Sequence, residues 1–178
     1  MSAVAHFQPA LSRVRLLVLD VDGVLTDGRL YYGAKGEQLK VFHVRDGHGI
    51  KQVAAAGIDV AIISGRKSTA VTRRARDLGI RSVTQGVTDK LAVLEKLTKA
   101  RGLSLEHCAC IGDDTPDAAV IAAAGIGIAV ADAHPDALAA ADLVTSLPGG
   151  RGAVREVCDW LIAARRVRGA PTAPGMRG

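Results

Sequence analysis

The sequence predicts an α/β fold, a doubly wound, Rossmann-like parallel sheet with helices on both faces. First, short apolar runs that suit buried parallel strands alternate with segments of helical periodicity. Second, Gly follows several helical segments, as in Ala56-Gly57-Ile58, Leu78-Gly79-Ile80 and Ala124-Gly125-Ile126, where it can end a helix in the left-handed conformation. Third, acidic, hydroxyl and lysine side chains recur where the apolar runs end. We therefore expect one sheet whose carboxyl edge collects the polar residues.

The elements follow in order from a first strand predicted at residues 16–19. A small β-hairpin flap is predicted at 30–42 around a glycine-rich turn. Asp46 is predicted to cap the next helix, whose buried stripe holds Ile50, Val53 and Ala54. Further apolar runs predict strands at 60–63, 82–83, 108–111 and 126–130, and the helical stripes between and after them begin at Val71, Leu91 and Val154.

The domain organisation is simple: a loose leader at 1–12, one domain at 13–166 and a flexible basic tail at 167–178. The net charge of +5 arises near the end, because residues 165–178 hold four Arg and no acid. With a near-neutral domain and 3% aromatic residues, no nucleic-acid partner is expected. Neither a membrane-spanning apolar run nor a signal peptide is present, so we expect a cytoplasmic protein with no membrane partner.

Asp20 and Asp22 form an acidic dyad directly after the first predicted strand. If the backbone stays extended, both side chains point to the same side. Two nearby carboxylates repel unless a cation or a proton lies between them. The dyad therefore suits a hard metal such as Mg²⁺, or a division into nucleophile and acid, while a pair of turn-forming aspartates is the alternative.

Three more polar clusters follow later strands. Ser64-Gly65-Arg66 offers a hydroxyl and backbone N–H groups to a phosphate, Lys90 opens a helix, and residues 112–117 form a second acidic cluster. Each alone has a structural explanation, as a helix cap, a solvated lysine or a capped turn. Together with the dyad they supply what phosphoryl transfer needs: a nucleophile, a metal and donors to the phosphoryl oxygens.

This order of motifs resembles the haloacid dehalogenase superfamily of phosphohydrolases. The match covers residues 16–142 and rests on Asp20/Asp22, Ser64, Lys90 and Asp113/Asp114. The resemblance implies that Asp20 attacks phosphorus and that Asp22 acts as acid and then as base. It also implies that Mg²⁺ is held by Asp20, by Asp22 through its carbonyl and by Asp113. The implied phosphate-binding residues are Ser64, Gly65 and Lys90, and Asp114 and Asp117 are the implied supporting acids.

The intervals between the motifs leave no room for a cap domain, since 22–64 holds only a hairpin and one helix and 90–113 only one helix and one strand. Selectivity must then come from a large substrate or from neighbouring subunits. Further segments are similar to the 3-deoxy-D-manno-octulosonate 8-phosphate phosphatase family, which is tetrameric and closes its sites with the hairpin and adjacent subunits. These segments are 20–28, 42–47, 64–68, 73–74, 85–86, 132–135 and 152–156.

That resemblance implies a homotetrameric, Mg²⁺-dependent phosphatase that releases phosphate from an acidic eight-carbon sugar phosphate in lipopolysaccharide precursor synthesis. The family's sugar-binding positions correspond to His43, Val44, Arg45, Asp46, Gly47, Lys51, Arg66 and Arg74. His43 and His48 stand where the family usually has Asn and Tyr, and Ser64 stands where Thr is common.

Three alternative functions remain at this point. One is a phosphatase for nine-carbon sialic-acid-type sugar 9-phosphates, which would share the motifs. Another is a response-regulator receiver, against which Asp22 argues because receivers lack an acid two residues after the phosphoacceptor. The third is a non-catalytic regulatory module, against which the complete motif set argues.

Overall fold

The structure, a computed structural model, describes residues 3–34 and 36–169. Its strands are β1 (Leu16–Leu19), β2 (Tyr31–Gly33), β3 (Gly36–Leu39), β4 (Asp59–Ser64), β5 (Ser82–Gln85), β6 (Cys108–Gly112), β7 (Ile126–Ala129) and β8 (Leu143–Val144). Its helices are α1 (Ala3–His6), α2 (Gln8–Leu11), α3 (Val44–Ala55), α4 (Thr69–Leu78), α5 (Lys90–Lys99), α6 (Thr115–Ala123), α7 (Pro135–Ala140) and α8 (Ala153–Gly169). A 3₁₀ turn at Leu105–His107 leads into β6.

Six strands form a parallel sheet in the order β5-β4-β1-β6-β7-β8, and β2 and β3 form a separate antiparallel hairpin. All four residues of β1 are buried, because this apolar strand lies at the centre of the sheet. From β1 the sheet grows to one side through β4 and β5 and to the other through β6, β7 and β8. The carboxyl end of β1 is therefore the switch point at which such sheets bind ligands. The predicted fold and hairpin are confirmed.

The sheet is covered on both faces, and successive residues of β1 show this. Leu17 belongs to the apolar cluster that includes Leu161 of α8, whereas Leu16 belongs to the cluster that includes Leu94 of α5. Because side chains alternate along a strand, the two clusters lie on opposite faces of the sheet. Between β1 and β4 the described residues contain only the hairpin and α3, so this part of the chain has no cap domain.

The start of α3 differs from the prediction. The N-cap is His43, whose Nδ1 accepts a hydrogen bond from the N–H of Arg45 at 3.3 Å. Asp46 lies one turn further on, is 1% exposed, and accepts a hydrogen bond through Oδ1 from the N–H of Arg155 at 2.8 Å. Gly152 precedes α8 and has no side chain that could cap it, so Asp46 caps α8 from another helix. In α3 itself, Ala54 is exposed, contrary to the predicted buried stripe.

Two of the three helix-ending glycines behave as predicted. Gly57 and Gly79 each adopt a φ of +77°. Gly125 is not among the described glycines with positive φ; a Cβ there would lie 2.2 Å from the carbonyl oxygen of Glu106. Gly125 is therefore required by a close approach of two backbone segments.

The two ends of the chain are more ordered than predicted within the described residues. The segment assigned to a loose leader forms α1 and α2, and Leu11 is completely buried in the core. Helix α8 continues to Gly169 and so includes the first residues of the predicted tail. Residues 1–2 and 170–178, on which the rest of those predictions fall, lie outside the described residues. Among the described helices, none has the length and apolar character needed to cross a membrane.

Replacing Asp46 by Ala should lower the free energy of unfolding by about 1–2 kcal/mol, because the first turn of α8 loses a buried acceptor. Asp46→Asn keeps an oxygen at the same place and should cost less. Urea unfolding at constant pH measures both, with the exposed Asp77→Ala as a control expected within about 0.5 kcal/mol of the unmodified chain. Equal stability of Asp46→Ala and Asp77→Ala would contradict the cap.

Candidate active site

Asp20 lies at the carboxyl end of the central strand. Its N–H donates to the carbonyl oxygen of Ile111 at 3.1 Å, which continues the pairing of β1 with β6 by one residue. The residue is 7% exposed, and its Oδ1 accepts a hydrogen bond from Lys90 Nζ at 2.7 Å. A buried carboxylate is thus held in one orientation at the floor of the switch point.

Lys90 is the first residue of α5 and is buried, with a side chain that is 6% exposed. Its Nζ donates to Asp20 at 2.7 Å and to Asp117 Oδ1 at 2.6 Å. Burial opposes the charge of Lys90, but the carboxylates of Asp20 and Asp117 outweigh it and raise the Lys90 pKa. The alternative of a solvated surface lysine is therefore wrong.

The second acidic cluster combines a helix cap with a contribution to the site. Asp114 caps α6, with Oδ1 accepting from the N–H of Thr115 at 2.8 Å. Asp117 Oδ2 accepts from the N–H groups of Asp113 and Asp114 at 3.2 and 3.4 Å. The capped-turn explanation is correct, and this same turn brings Asp113 to the cleft that contains Asp20.

Asp20, Asp113 and Asp117 each offer a carboxylate oxygen, and these oxygens lie within 4.8 Å of one another. Both oxygens of Asp117 already have partners, in Lys90 and in backbone N–H groups. Asp20 and Asp113 are therefore the carboxylates best placed to hold a cation. Gly23 leaves the space that Asp113 needs, since a Cβ there would lie 2.0 Å from Asp113 Oδ2. Carboxylate oxygens in such a cradle suit a hard divalent cation such as Mg²⁺.

Burial and mutual repulsion raise the pKa values of two carboxyl groups in the acidic cluster. Burial, followed by the charge of Asp117, raises the pKa of Asp20 to about 7, although Lys90 opposes the shift. Burial and the charges of Asp20, Asp117 and Asp114 raise the pKa of Asp113 to about 8. A divalent cation would replace protons in this cluster near neutral pH.

Ser64 completes the floor as the last residue of β4 and is 2% exposed. It is not a helix N-cap, because α4 begins five residues later at Thr69. The cleft has a volume of about 320 Å³ and is lined by Asp20, Asp22, Gly28, Leu30, Ser64, Gly65, Arg66, Lys90, Asp113, Asp114, Pro116 and Asp117. The motif residues predicted from four separate segments thus meet in one cleft.

Asp22 contacts a residue that the sequence pattern did not single out. Lys40, directly after β3, forms an ion pair through Nζ with Asp22 Oδ1 and lies 3.3 Å from Glu37 Oε2. Lys40 is 7% exposed, whereas its neighbours Leu39 and Val41 are 54% and 52% exposed. A charged residue facing inward between two outward apolar ones is the signal that could have identified it.

Of the predicted sugar-binding residues, Arg66 lines the cleft and the rest of that set does not. Asp46 caps α8, Val44 is 77% exposed, and the Arg74 guanidinium carbon lies 5.8 Å from the centroid of the Phe42 ring. The other residues outside the cleft are His43, Arg45, Gly47 and Lys51. Within one chain, the predicted sugar-binding residues other than Arg66 therefore lie outside the cleft that contains the acidic cluster.

Comparison with known proteins places these features in a family. Residues 78–149 match the haloacid dehalogenase-like hydrolase family. The 3-deoxy-D-manno-octulosonate 8-phosphate phosphatase of Salmonella typhi is 48% identical over 160 residues, which cover 90% of this chain and 85% of that protein. The same phosphatase from Moraxella catarrhalis, crystallised with magnesium, phosphate and KDO, is 43% identical with a TM-score of 0.88 over 90% of this chain and 92% of that one. A cobalt-bound relative from Haemophilus influenzae is 45% identical with a TM-score of 0.86, over 88% and 92% of the two chains.

The metal-free protein should lose stability as the pH rises from about 4 towards 8. Asp113 has an ordinary pKa of 3.8 and a folded-state pKa of about 8, so in this window the folded state binds more protons than the unfolded state. Asp113→Asn should weaken this pH dependence. Mg²⁺ at about 100 times its Kd should add about 2.7 kcal/mol to the unmodified chain and much less to Asp113→Asn.

Thermal unfolding between pH 4 and 9, with and without Mg²⁺, measures both effects. Asp136→Asn, which changes an exposed acid of α7, is the control and should keep the response to Mg²⁺. An equal response to Mg²⁺ in Asp113→Asn and Asp136→Asn would contradict a cation site at Asp113.

Proposed function

The chain belongs to the 3-deoxy-D-manno-octulosonate 8-phosphate phosphatase family of haloacid dehalogenase-like hydrolases, and from this premise we propose that it hydrolyses 3-deoxy-D-manno-octulosonate 8-phosphate with Mg²⁺ as cofactor. The products are the free sugar acid and phosphate, in lipopolysaccharide precursor synthesis. The observation that carries the proposal is the buried contact of Lys90 with Asp20, beside Asp113, in a chain of this family.

We assign the nucleophile to Asp20. Lys90 holds Oδ1, and Oδ2 attacks phosphorus in line with the leaving sugar oxygen. The phosphorus–oxygen bond to the sugar breaks, and Asp22 donates a proton to the leaving oxygen. Asp22 then takes a proton from a water that attacks the aspartyl-phosphate, which releases phosphate and regenerates Asp20.

The remaining cleft residues bind and orient the phosphoryl group. The hydroxyl of Ser64, the N–H of Gly65 and the ammonium of Lys90 donate to its oxygens. The Asp20 and Asp113 carboxylates and the Asp22 carbonyl would hold Mg²⁺, which supplies positive charge to the phosphoryl oxygens. Asp114 and Asp117 support these residues from the start of α6.

A homotetramer would complete the site. The hairpin exposes apolar side chains, with Leu39 54% and its cross-strand partner Tyr31 40% exposed, and a second copy of the chain would cover such a surface. In this proposal His43, Val44, Arg45, Lys51 and Arg74 contribute to sugar binding in the assembly, and Arg66 meets the sugar carboxylate at the rim. The buried Asp46 and Gly47 support this segment from within the chain. The three buried, unpaired cysteines support a cytoplasmic location.

Phosphate release should be fastest from the eight-carbon 8-phosphate, with kcat/KM at least about tenfold above that for a nine-carbon 9-phosphate. Asp20→Asn should lower it by about 10⁴-fold or more, because the nucleophile is lost. Phosphate release with Mg²⁺ from both sugars and from an aryl phosphate measures this. Faster turnover of the nine-carbon sugar would change the substrate, and equal activity of Asp20→Asn would refute the mechanism.

Leu39→Glu should prevent assembly, because it puts a charge on the exposed apolar face of the hairpin. Sedimentation should show a tetramer for the unmodified chain and smaller species for Leu39→Glu. Val144→Glu, at an exposed position of the edge strand β8, is the matched control. A monomeric unmodified chain at assay concentration would contradict the proposed assembly.

A further inference from the structure

The carboxylate of Asp22 lies between cations from two different elements. Lys40, from the hairpin, pairs with Oδ1, and Arg66, from the loop after β4, has its Nε 3.6 Å from Oδ2. A cation on each oxygen restricts rotation of the carboxylate. The orientation of Asp22 is thus set by groups outside its own loop.

Glu37 closes this arrangement into a ring of alternating charge. Its Oε2 lies 3.3 Å from Lys40 Nζ and accepts a hydrogen bond from Arg66 Nη2 at 3.2 Å. Arg66 also donates to the Tyr32 hydroxyl at 3.1 Å. The two negative charges of the ring equal its two positive charges. Both strands of the hairpin take part, β2 through Tyr32 and β3 through Glu37.

Lys40 and Arg66 differ in their freedom to move. The Lys40 side chain is 1% exposed, and a lysine this deeply buried requires paired charges. The Arg66 side chain is 44% exposed and its contact with Asp22 is longer. An incoming sugar carboxylate can therefore draw Arg66 from Oδ2, while Lys40 keeps its hold on Oδ1.

We propose that Lys40 is a positioning residue of the phosphatase reaction, which orients Asp22 so that its free oxygen faces the leaving sugar oxygen. This inference rests on the proposed function and extends it, because it makes the hairpin part of the proton-transfer apparatus. Lys40 touches neither phosphorus nor the leaving group and acts only through Asp22. A lysine that merely attached the hairpin to the domain would affect all substrates alike.

The leaving group separates these two roles. A sugar oxygen needs a proton as it departs, whereas an aryl oxide is a good leaving group without one. Lys40→Met should lower kcat/KM for the sugar phosphate by about 100-fold, and for an aryl phosphate by less than about fivefold. Lys99→Met, at an exposed position of α5, is the matched control and should change neither. Equal losses on both substrates would overturn the proposal.

A double-mutant cycle with Asp22→Asn supplies a second readout. If Lys40 acts through Asp22, adding Lys40→Met to Asp22→Asn should change kcat/KM for the sugar phosphate by less than about twofold. Losses that multiply would show that Lys40 acts independently of Asp22 and would overturn the proposal. If Lys40→Met does not fold by circular dichroism, Lys40→Gln, which keeps a neutral donor, carries the same cycle.

The outcomes also separate this inference from the proposed function. An unmodified chain that cleaves aryl and simple alkyl phosphates but not the eight-carbon sugar would refute the substrate alone. The cycle is then measured with glycerol phosphate, whose alkyl oxygen also needs a proton. Turnover of the eight-carbon sugar with multiplying losses would refute the role of Lys40 alone.

Discussion

A buried lysine between two aspartates is the interaction on which the cleft depends. Lys90 comes from the start of α5, Asp20 from the end of β1 and Asp117 from the first turn of α6. Removing one member would leave an uncompensated charge in a desolvated place, which is far costlier than losing a surface ion pair. The end of β1 and the starts of α5 and α6 are consequently held together by charges in the active site itself.

The turn at the start of α6 joins helix capping to this charge cluster. Asp117 satisfies backbone N–H groups with one oxygen and holds Lys90 with the other. Such sharing explains why structural and functional interpretations of residues 112–117 are compatible. The N–H groups that orient Asp117 belong to the N-cap Asp114 and to the residue before it, Asp113. The position of the Asp117 carboxylate in the cluster therefore follows from the geometry of a helix terminus.

The fold and the cleft were predictable wherever a local pattern carried the information. Asp20, Ser64 and Lys90 stand at ends of apolar runs, and parallel topology brings such ends to one edge. The role of Asp46 could not be predicted from the sequence, because the N–H that it caps lies 109 residues away, beyond any local pattern. The inward position of Lys40 could not be predicted either, because alternation of side chains indicates two faces of a hairpin without indicating which face the domain covers. The sugar-binding set could be placed only by resemblance, and one chain leaves most of it outside the cleft.

The hairpin directs Lys40 inward and apolar side chains outward, and this arrangement offers a second place at which such an enzyme could be inhibited. The cleft is polar and acidic, and a molecule that competed there would have to carry the charge of a phosphate and a carboxylate. The outer face of the hairpin offers the cross-strand pair Tyr31 and Leu39 to an uncharged ligand instead. Since Lys40, directly after β3, extends inward to Asp22, a drug-like compound that shifted the hairpin would disturb the proposed orientation of Asp22 without entering the cleft.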